Sequence, residues 1–390
     1  MNGRKDFLVT LMRIERALMN PLISPLHVAP SSPEMRVVSA FNAAAIGWQQ
    51  EMLLMLRVAE MPKDVAEDEV AVPILTRDNG HVGVTVRRFH KGQPGLDISD
   101  PRAVVFQGET LLSSLSHLRL ARSPDGYHFI IEKVPALFPT EPYEEYGIED
   151  PRMTDLDGTV YINYTAVSRY GISVALASTT DFVTYRKLGV ILPPENKNVV
   201  IFPERIGGRY VMIHRPSTTG LGSQQMWMGY STDMLHWGEH IPFMSKRPGM
   251  WDSLRIGAGA VPIKTEQGWL EIYHGVNPEQ GYCLGAVLLD LDDPSIILAR
   301  SNIPFLIPET EYERTGFYGN VVFTCGAVAT TSQSGTKVSI YYGAADQFTC
   351  RADLELADIL DSLHAPALFV THPVDLNQVP MSTGSACSLG

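Results

Sequence analysis

Cysteine is scarce: the 390 residues carry 4, at positions 283, 325, 350 and 387, with no C-x-x-C pair among them. That excludes a zinc knuckle and a disulfide framework, and leaves reduced, buried thiols as the expectation. No apolar run approaches the roughly 18 residues of a membrane span. Charges also interrupt the first apolar stretch, Phe7 to Arg16, too early for a secretory signal. A cytoplasmic protein with no membrane partner is expected. Basic residues are in deficit, Lys+Arg 31 against Asp+Glu 43 for a net charge of −12, which argues against nucleic acid as the main partner. A local basic pocket for a small anion is compatible with that balance. Clusters of metal-ligating residues are missing too, so no metal is expected.

Long helical periods are also rare. What is there is an ordinary globular balance, 45% hydrophobic and 19% charged, written as short β runs punctuated by Gly, Asp, Asn and Pro. This texture predicts an all-β body. Apolar residues at positions 7, 8, 11, 12, 14 and 18 recur at helical spacing and predict a helical extension over 1–30. A short C-terminal helix and a frayed tail from Met381 are expected within 351–390. The N-terminal helix and the run from Asp353 to Leu360 are candidate contact elements for a homo-oligomer.

The runs repeat. A strand, a polar turn and a second strand recur at 152–165, 204–215, 261–274 and 326–343, with fainter copies at 43–57 and 100–112. A second element recurs as Ala121-Arg-Ser-Pro-Asp125, Ala177-Ser-Thr-Thr-Asp181 and Gly229-Tyr-Ser-Thr-Asp233, its aspartates 56 and 52 residues apart. That period suits the four-stranded blade of a β-propeller. In such a fold the innermost strands surround a funnel, and polar residues at their ends converge on one site.

The sharpest candidate for chemistry is Gly147-Ile-Glu-Asp-Pro-Arg152. Pro151 pushes Asp150 out of the helical region, so its carboxylate is expected on an extended, stiff backbone beside a permanent cation. Read alone, the hexapeptide is equally a strand-entry turn with a surface salt bridge. Corresponding ends of the other units carry Asn42 with Arg57, Lys197 with His214-Arg215-Pro216, and Asp346, while Arg169 occupies a nearby loop. Each has a bland reading as well: Arg169 and Lys197 as solvated loop cations, His214 as a core histidine, Tyr273 and His274 as strand-end aromatics, Asp346 as a strand-exit cap. The five Trp, at 48, 227, 237, 251 and 269, read as packing rather than sugar platforms. Taken together, one carboxylate with several cations is an unusual set. A hydrolytic glycosidase needs two carboxylates, whereas an anionic phosphate nucleophile needs no base and does need cations.

Several strings resemble glycoside hydrolase family 130, in order across roughly 40–350: Gly147–Arg152, Asn196-Lys-Asn-Val-Val-Ile-Phe-Pro-Glu204, His214-Arg-Pro216, Trp251-Asp-Ser with Ile256-Gly-Ala-Gly259, Gly268-Trp-Leu-Glu-Ile-Tyr-His-Gly275 and Tyr342-Gly-Ala-Ala-Asp346. The family comprises β-mannoside phosphorylases and related β-mannosidases. The resemblance implies a five-bladed propeller over 31–350, with the two faint early copies merged into one blade. It implies Asp150 as general acid, its proton relayed by a hydroxyl of the −1 mannose. Asn42, Arg57, Glu149 and Asp346 are then substrate-binding, and Arg169, Lys197, His214 and Tyr273 bind phosphate. The implied reaction is inverting phosphorolysis of a terminal β-mannoside to α-mannose 1-phosphate, with inorganic phosphate as co-substrate and no cofactor. Two other readings remain open: an inverting β-mannosidase with Glu149 or Glu204 as base, and a non-catalytic propeller that binds carbohydrate or protein. The chain departs from the family in reading Phe41-Asn42-Ala43-Ala44 where many members have Asn-Pro, and in an extended insert over 62–118. The insert and Asp100-Pro101-Arg102 resemble the β-1,2-oligomannan branch more than the β-1,4-mannosyl-glucose branch, with Asp100 itself expected to be a structural turn.

Overall fold

The aspartate repeat is a turn. In each copy the carboxylate Oδ1 accepts hydrogen bonds from two backbone amides just ahead of it, at 2.8–2.9 Å: Tyr127 and His128 on Asp125, Val183 and Thr184 on Asp181, Leu235 and His236 on Asp233. The hydroxyl two residues earlier, on Ser123, Thr179 or Ser231, accepts from the aspartate's own amide. These local bonds satisfy the backbone where a third strand stops and a fourth begins. The computed structural model describes residues 14–78, 81–217, 222 and 224–365.

The strand repeats become antiparallel meanders. The most regular are Gly147–Leu156, Thr159–Ser168, Gly171–Thr179 and Arg186–Leu192, followed by Asn196–Ile201, Tyr210–Pro216, Met226–Ser231 and Gly238–Met244. Asp157 and Gly158 both take positive φ, 55° and 80°, the geometry that a tight two-residue hairpin requires. A further meander runs through Arg255–Ala258, Trp269–Asn277, Gly281–Leu289 and Ile297–Ser301. Near the end of the chain, Val322–Ser332, Gly335–Ala344 and Phe348–Glu355 take their fourth strand, Glu15–Arg16, from near the N-terminus. The earliest meander is Met35–Trp48, Glu51–Pro62, Leu115–Ser123 and Ile130–Ile131. Its first strand packs on the first strands of the Gly147 and Val322 meanders, and the chain of contacts continues through Asn196–Ile201 to Arg255–Ala258. The inner strands therefore form a ring, with the Asn196 and Arg255 meanders across from Met35–Trp48.

The core lies between adjacent meanders. Leu53, Met55, Ile148 and Ile162 fill one such layer, Leu176, Val199 and Met212 the next, and Phe202, Ile213, Trp251 and Trp269 a third. Trp48 meets Phe182 edge-on across a layer, with ring centroids 5.3 Å apart. Trp48, Trp237, Trp251 and Trp269 all pack in these layers, and none of the five tryptophans lines the cavity described below.

Three expectations shift. The segment 14–30 holds the strand Glu15–Arg16 and a short 3-10 turn, Pro25–His27, rather than a helix. The open edge of Phe348–Glu355 captures the backbone, Arg16 bonds Glu313 at 2.8 Å, and Leu18 is fully exposed. Phe7, Leu8, Leu11 and Met12 lie outside the described residues. The faint copy at 100–112 joins no meander of the ring; it sits in the insert, where Glu69–Asp78 pairs with His81–His90, and Ala103–Phe106 with Glu109–Leu112, over a small core of Val72, Phe89, Val104 and Leu111. The expected boundary at 350 falls inside the strand Phe348–Glu355. A short helix does follow, Leu356–Asp361, with Ile359 buried. Cys283, Cys325 and Cys350 are free and buried; Cys387 and the tail from Met381 lie outside the described residues. Among those residues no helix is long and apolar enough to cross a membrane.

Candidate active site

Three bulges build the site. Met35–Trp48 slips register between Phe41 and Ala44, Gly147–Leu156 between Glu149 and Arg152, and Asn196–Ile201 between Lys197 and Val200. At each slip one residue takes a left-handed backbone: Asn42 at φ 46°, Asp150 at 46° and Asn198 at 53°. Asn and Asp tolerate that region better than other non-glycine residues, and a bulge re-aims the side chain it carries. Pro151 does exclude the right-handed helical region for Asp150. The chain answers with a left-handed bulge, not the extended backbone expected from the sequence. Asp346, at φ 51°, follows the strand Gly335–Ala344 in the same conformation.

A cavity of about 530 Å3 opens where these inner strands meet, and Asn42, Arg57, Glu149, Asp150, Lys197 and Asp346 all line it. Arg57 is the hinge of its acidic side. Its Nη1 donates to Asp150 Oδ1 at 3.1 Å and its Nη2 to Glu149 Oε1 at 2.7 Å, while Asn42 Nδ2 donates to the same Asp150 oxygen at 2.9 Å. Asp150 Oδ2 has no hydrogen bond within the described residues, so one oxygen is held and the other is open. Arg152 works from below: fully buried, it donates to the Asp150 carbonyl at 2.9 Å and to the carbonyls of Gly259 and Ala258 at 3.0 and 3.1 Å. Burial pushes Asp150 toward its neutral form, but Arg57, Arg152, the Asn42 bond and Lys197 together hold it below the usual carboxylate range. Asp346 goes the other way. Burial, with the nearby charges of Asp150 and Glu149, outweighs Arg57 and pushes it up to about 7.

The other side is cationic. Lys197, Arg215 and Arg255 line it with no carboxylate in ion-pair range among the described residues. Burial and mutual repulsion lower Lys197 and bring Arg215 down to about 10. Arg215 Nη1 donates to the Ile256 carbonyl at 3.3 Å and lies 3.4 Å from His274 Nε2, and Arg255 donates to the Tyr282 hydroxyl at 2.6 Å. Burial and these cations keep His274 neutral, and its Nδ1 has no partner among the described residues. Unpaired buried cations are costly unless an anion joins them.

A family model described as beta-1,4-mannooligosaccharide phosphorylase, that of glycoside hydrolase family 130, matches residues 99–365. Over 360 residues the chain is 41% identical to a protein named beta-1,2-mannobiose phosphorylase from Listeria innocua, covering 91% of this chain and 100% of that one. The chain belongs to glycoside hydrolase family 130. The solved structure of the Listeria innocua enzyme with beta-1,2-mannobiose superposes with a TM-score of 0.84, covering 90% of this chain and 99% of that one. A 1,2-beta-oligomannan phosphorylase from a Thermoanaerobacter species is 38% identical over 63% of this chain and 80% of its own.

Within this family 130 chain, three of the residues expected to bind phosphate are placed away from the cavity. Tyr273 is fully buried, its hydroxyl donating to Asp252 at 2.8 Å and accepting from Arg300 at 3.0 Å. His214 is engaged with Asn196 at 2.8 Å and His240 at 2.9 Å. Arg169 lies on the exposed surface, paired with Glu145 at 2.8 Å. The first two misses share a cause. Side chains alternate along a strand, so where Tyr273 and His214 turn into the packing, their neighbours His274 and Arg215 face the cavity. Both neighbours belong to the motifs named above, but which of each pair faces inward depends on how the meanders pack around the ring, and the motif alone does not record that. Arg255, Tyr282 and Asn198 went unassigned, and only the Asn after Lys197 carried a signal, by analogy with Asn42 and Asp150. Glu204 pairs with Lys264 at 2.7 Å outside the cavity, whereas Asp100 and Arg102, bonded to each other at 2.8 Å, lie on its rim. The Asp100 turn thus faces the site rather than being structural alone.

Proposed function

We propose that this protein is an inverting glycoside phosphorylase that cleaves terminal β-1,2-mannosidic linkages with inorganic phosphate, giving α-D-mannose 1-phosphate and a shortened mannooligosaccharide, reversibly. The observation that carries this reading is the pairing of one open acid oxygen, Asp150 Oδ2, with three cations that lack carboxylate partners among the described residues, Lys197, Arg215 and Arg255. Hydrolysis would need a free carboxylate base. Glu149 is held by Arg57, Glu204 lies outside the cavity, and Asp346 belongs to the Arg57 cluster rather than to the cationic wall.

The five meanders are read as the blades of one five-bladed propeller, with the cavity at its centre. Asn42, Arg57, Glu149 and Asp346 hold the terminal mannosyl unit. Lys197, Arg215 and Arg255, with the Tyr282 hydroxyl, hold the phosphate; Arg215 and Arg255 take the places expected for His214 and Arg169. A phosphate oxygen attacks the anomeric carbon, the bond from that carbon to the glycosidic oxygen breaks, and the departing oxygen takes the proton of Asp150 relayed by a sugar hydroxyl. In the empty site Arg57, Arg152, Asn42 and Lys197 hold Asp150 below the usual carboxylate range, which disfavours the proton it must donate. Phosphate arriving beside Lys197 adds negative charge of the size that raises a nearby carboxyl, so the acid is charged with its proton when the nucleophile is in place. The β-1,2 assignment rests on the identity to the Listeria innocua and Thermoanaerobacter enzymes. A phosphorylated product suits a cytoplasmic setting.

The reverse reaction is the test. Incubated with α-mannose 1-phosphate and mannose, the protein releases phosphate and forms a disaccharide whose linkage is read by NMR. No phosphate release would overturn the proposal, and a β-1,4 product would overturn the linkage alone.

A further inference from the structure

Beside the catalytic cavity lies a second hollow of about 570 Å3, and the two share a wall made by Val38 and Phe317. Its remaining lining includes Ser24, Pro25 and Leu26 of the N-terminal segment, with Arg36, Met61 and Gln347. Most of the surface is apolar, but the one cation is idle: Arg36 is exposed and has no hydrogen bond or ion pair among the described residues. The shared wall is fixed rather than loose. Gly316 lies so close to Ala345 that a Cβ there would come within 2.6 Å of the Ala345 Cβ. The Tyr318 amide donates to the Ala345 carbonyl at 3.0 Å. The loop that carries Phe317 and Tyr318 is therefore docked on the turn that presents Asp346, and it exposes both rings, 44% and 52%.

We infer that this hollow is a distal sugar subsite, occupied by the mannosyl units of a β-mannooligosaccharide beyond the first acceptor residue, and that it makes the enzyme select for chain length. The inference rests on the phosphorylase reading. Inversion places the incoming phosphate and the departing sugar on opposite faces of the mannosyl unit. The phosphate cations come from the Asn196 and Arg255 meanders, across the ring from Met35–Trp48, so the acceptor leaves toward Val38 and Phe317. A second sugar ring then meets the Phe317 face, whose flat apolar surface matches the C–H face of a sugar, and the next rings enter the hollow. There Arg36 supplies the charged donor that sugar hydroxyls accept. A cavity of the size of the first already accommodates a disaccharide-sized ligand, so only longer chains reach the second.

The experiment compares phosphorolysis of β-1,2-mannobiose and β-1,2-mannotetraose by the wild type, Arg36→Ala and Leu26→Trp, the last chosen to fill the hollow. Melting temperatures of the variants serve as a folding control. The wild type is expected to show the higher kcat/KM with the tetraose. Arg36→Ala is expected to raise the tetraose KM by about tenfold, the equivalent of one hydrogen bond to a charged group, with mannobiose kinetics unchanged; Leu26→Trp should do the same. Equal kcat/KM for the two substrates in the wild type, or equal losses on both in the variants, would overturn the inference. If neither substrate is phosphorolysed, the proposed function has failed instead, and calorimetric binding decides the subsite: a tetraose bound no more tightly than the biose overturns it.

Discussion

Replacing Arg215 by Met should make the unliganded protein more stable while destroying its response to phosphate. Arg215 is 2% exposed, faces Lys197 and Arg255, and is brought down from the ordinary guanidinium range to about 10 by burial and then by repulsion from Arg255. Its folded-state affinity for the proton is below that of the unfolded chain, so at neutral pH, below both values, holding it charged opposes folding. At 1.36 kcal/mol for each pKa unit the penalty is about 3 kcal/mol. Met fills a similar volume without charge, and such exchanges of buried charge for apolar packing are often stabilising. Against this stands the hydrogen bond to the Ile256 carbonyl, 3.3 Å long, whose loss costs about 1–2 kcal/mol. The balance favours the variant by about 1 kcal/mol, a rise in Tm of about 1 °C for a body of this size in phosphate-free buffer. Phosphate at a hundred times its Kd should stabilise the wild type by about 2.7 kcal/mol and the variant far less. Thermal melts with and without phosphate give both numbers. A variant that melts well below the wild type and keeps the full phosphate shift would show that Arg215 is a structural cation and not part of the anion site.

Other outcomes follow from the same geometry. Asp150→Asn keeps the shape of the site but removes the proton, and should lower kcat on mannobiose by about 10²–10⁴-fold, with a much smaller loss on an aryl β-mannoside whose leaving group needs no proton; equal losses on both substrates would refute the acid role. Asp346 binds its proton more tightly folded than unfolded, so the stability it contributes is fully present below about pH 4 and is lost as pH rises through about 7. Asp346→Asn should therefore gain stability on the wild type between pH 5 and pH 8 in denaturant titrations, and a gap that does not widen with pH would count against a buried, protonated Asp346.

Much of this was legible in the chain, and the parts that were not have a common reason. The Asp125, Asp181 and Asp233 spacing revealed the repeat because those carboxylates bond to amides within three residues, so the signal is local. Asp150, Arg57, Lys197 and Asp346 were found because the ends of repeated strands must converge on one cavity. His214 and Tyr273 stand one residue from Arg215 and His274 on regular strands, and which of two neighbours faces inward is set by how the meanders pack around the ring, which no local pattern records. The N-terminal strand was missed for a different reason. Its conformation is imposed by the free edge of Phe348–Glu355, more than 300 residues away in sequence, and no local pattern records that.

The central claim is that phosphate, not water, attacks the mannosyl unit, and phosphorus and proton NMR of β-1,2-mannobiose digestion with and without phosphate tests it most directly. With phosphate, α-mannose 1-phosphate and mannose are expected in equal amounts, and without it, no cleavage. Release of free mannose at an undiminished rate in phosphate-free buffer would contradict it.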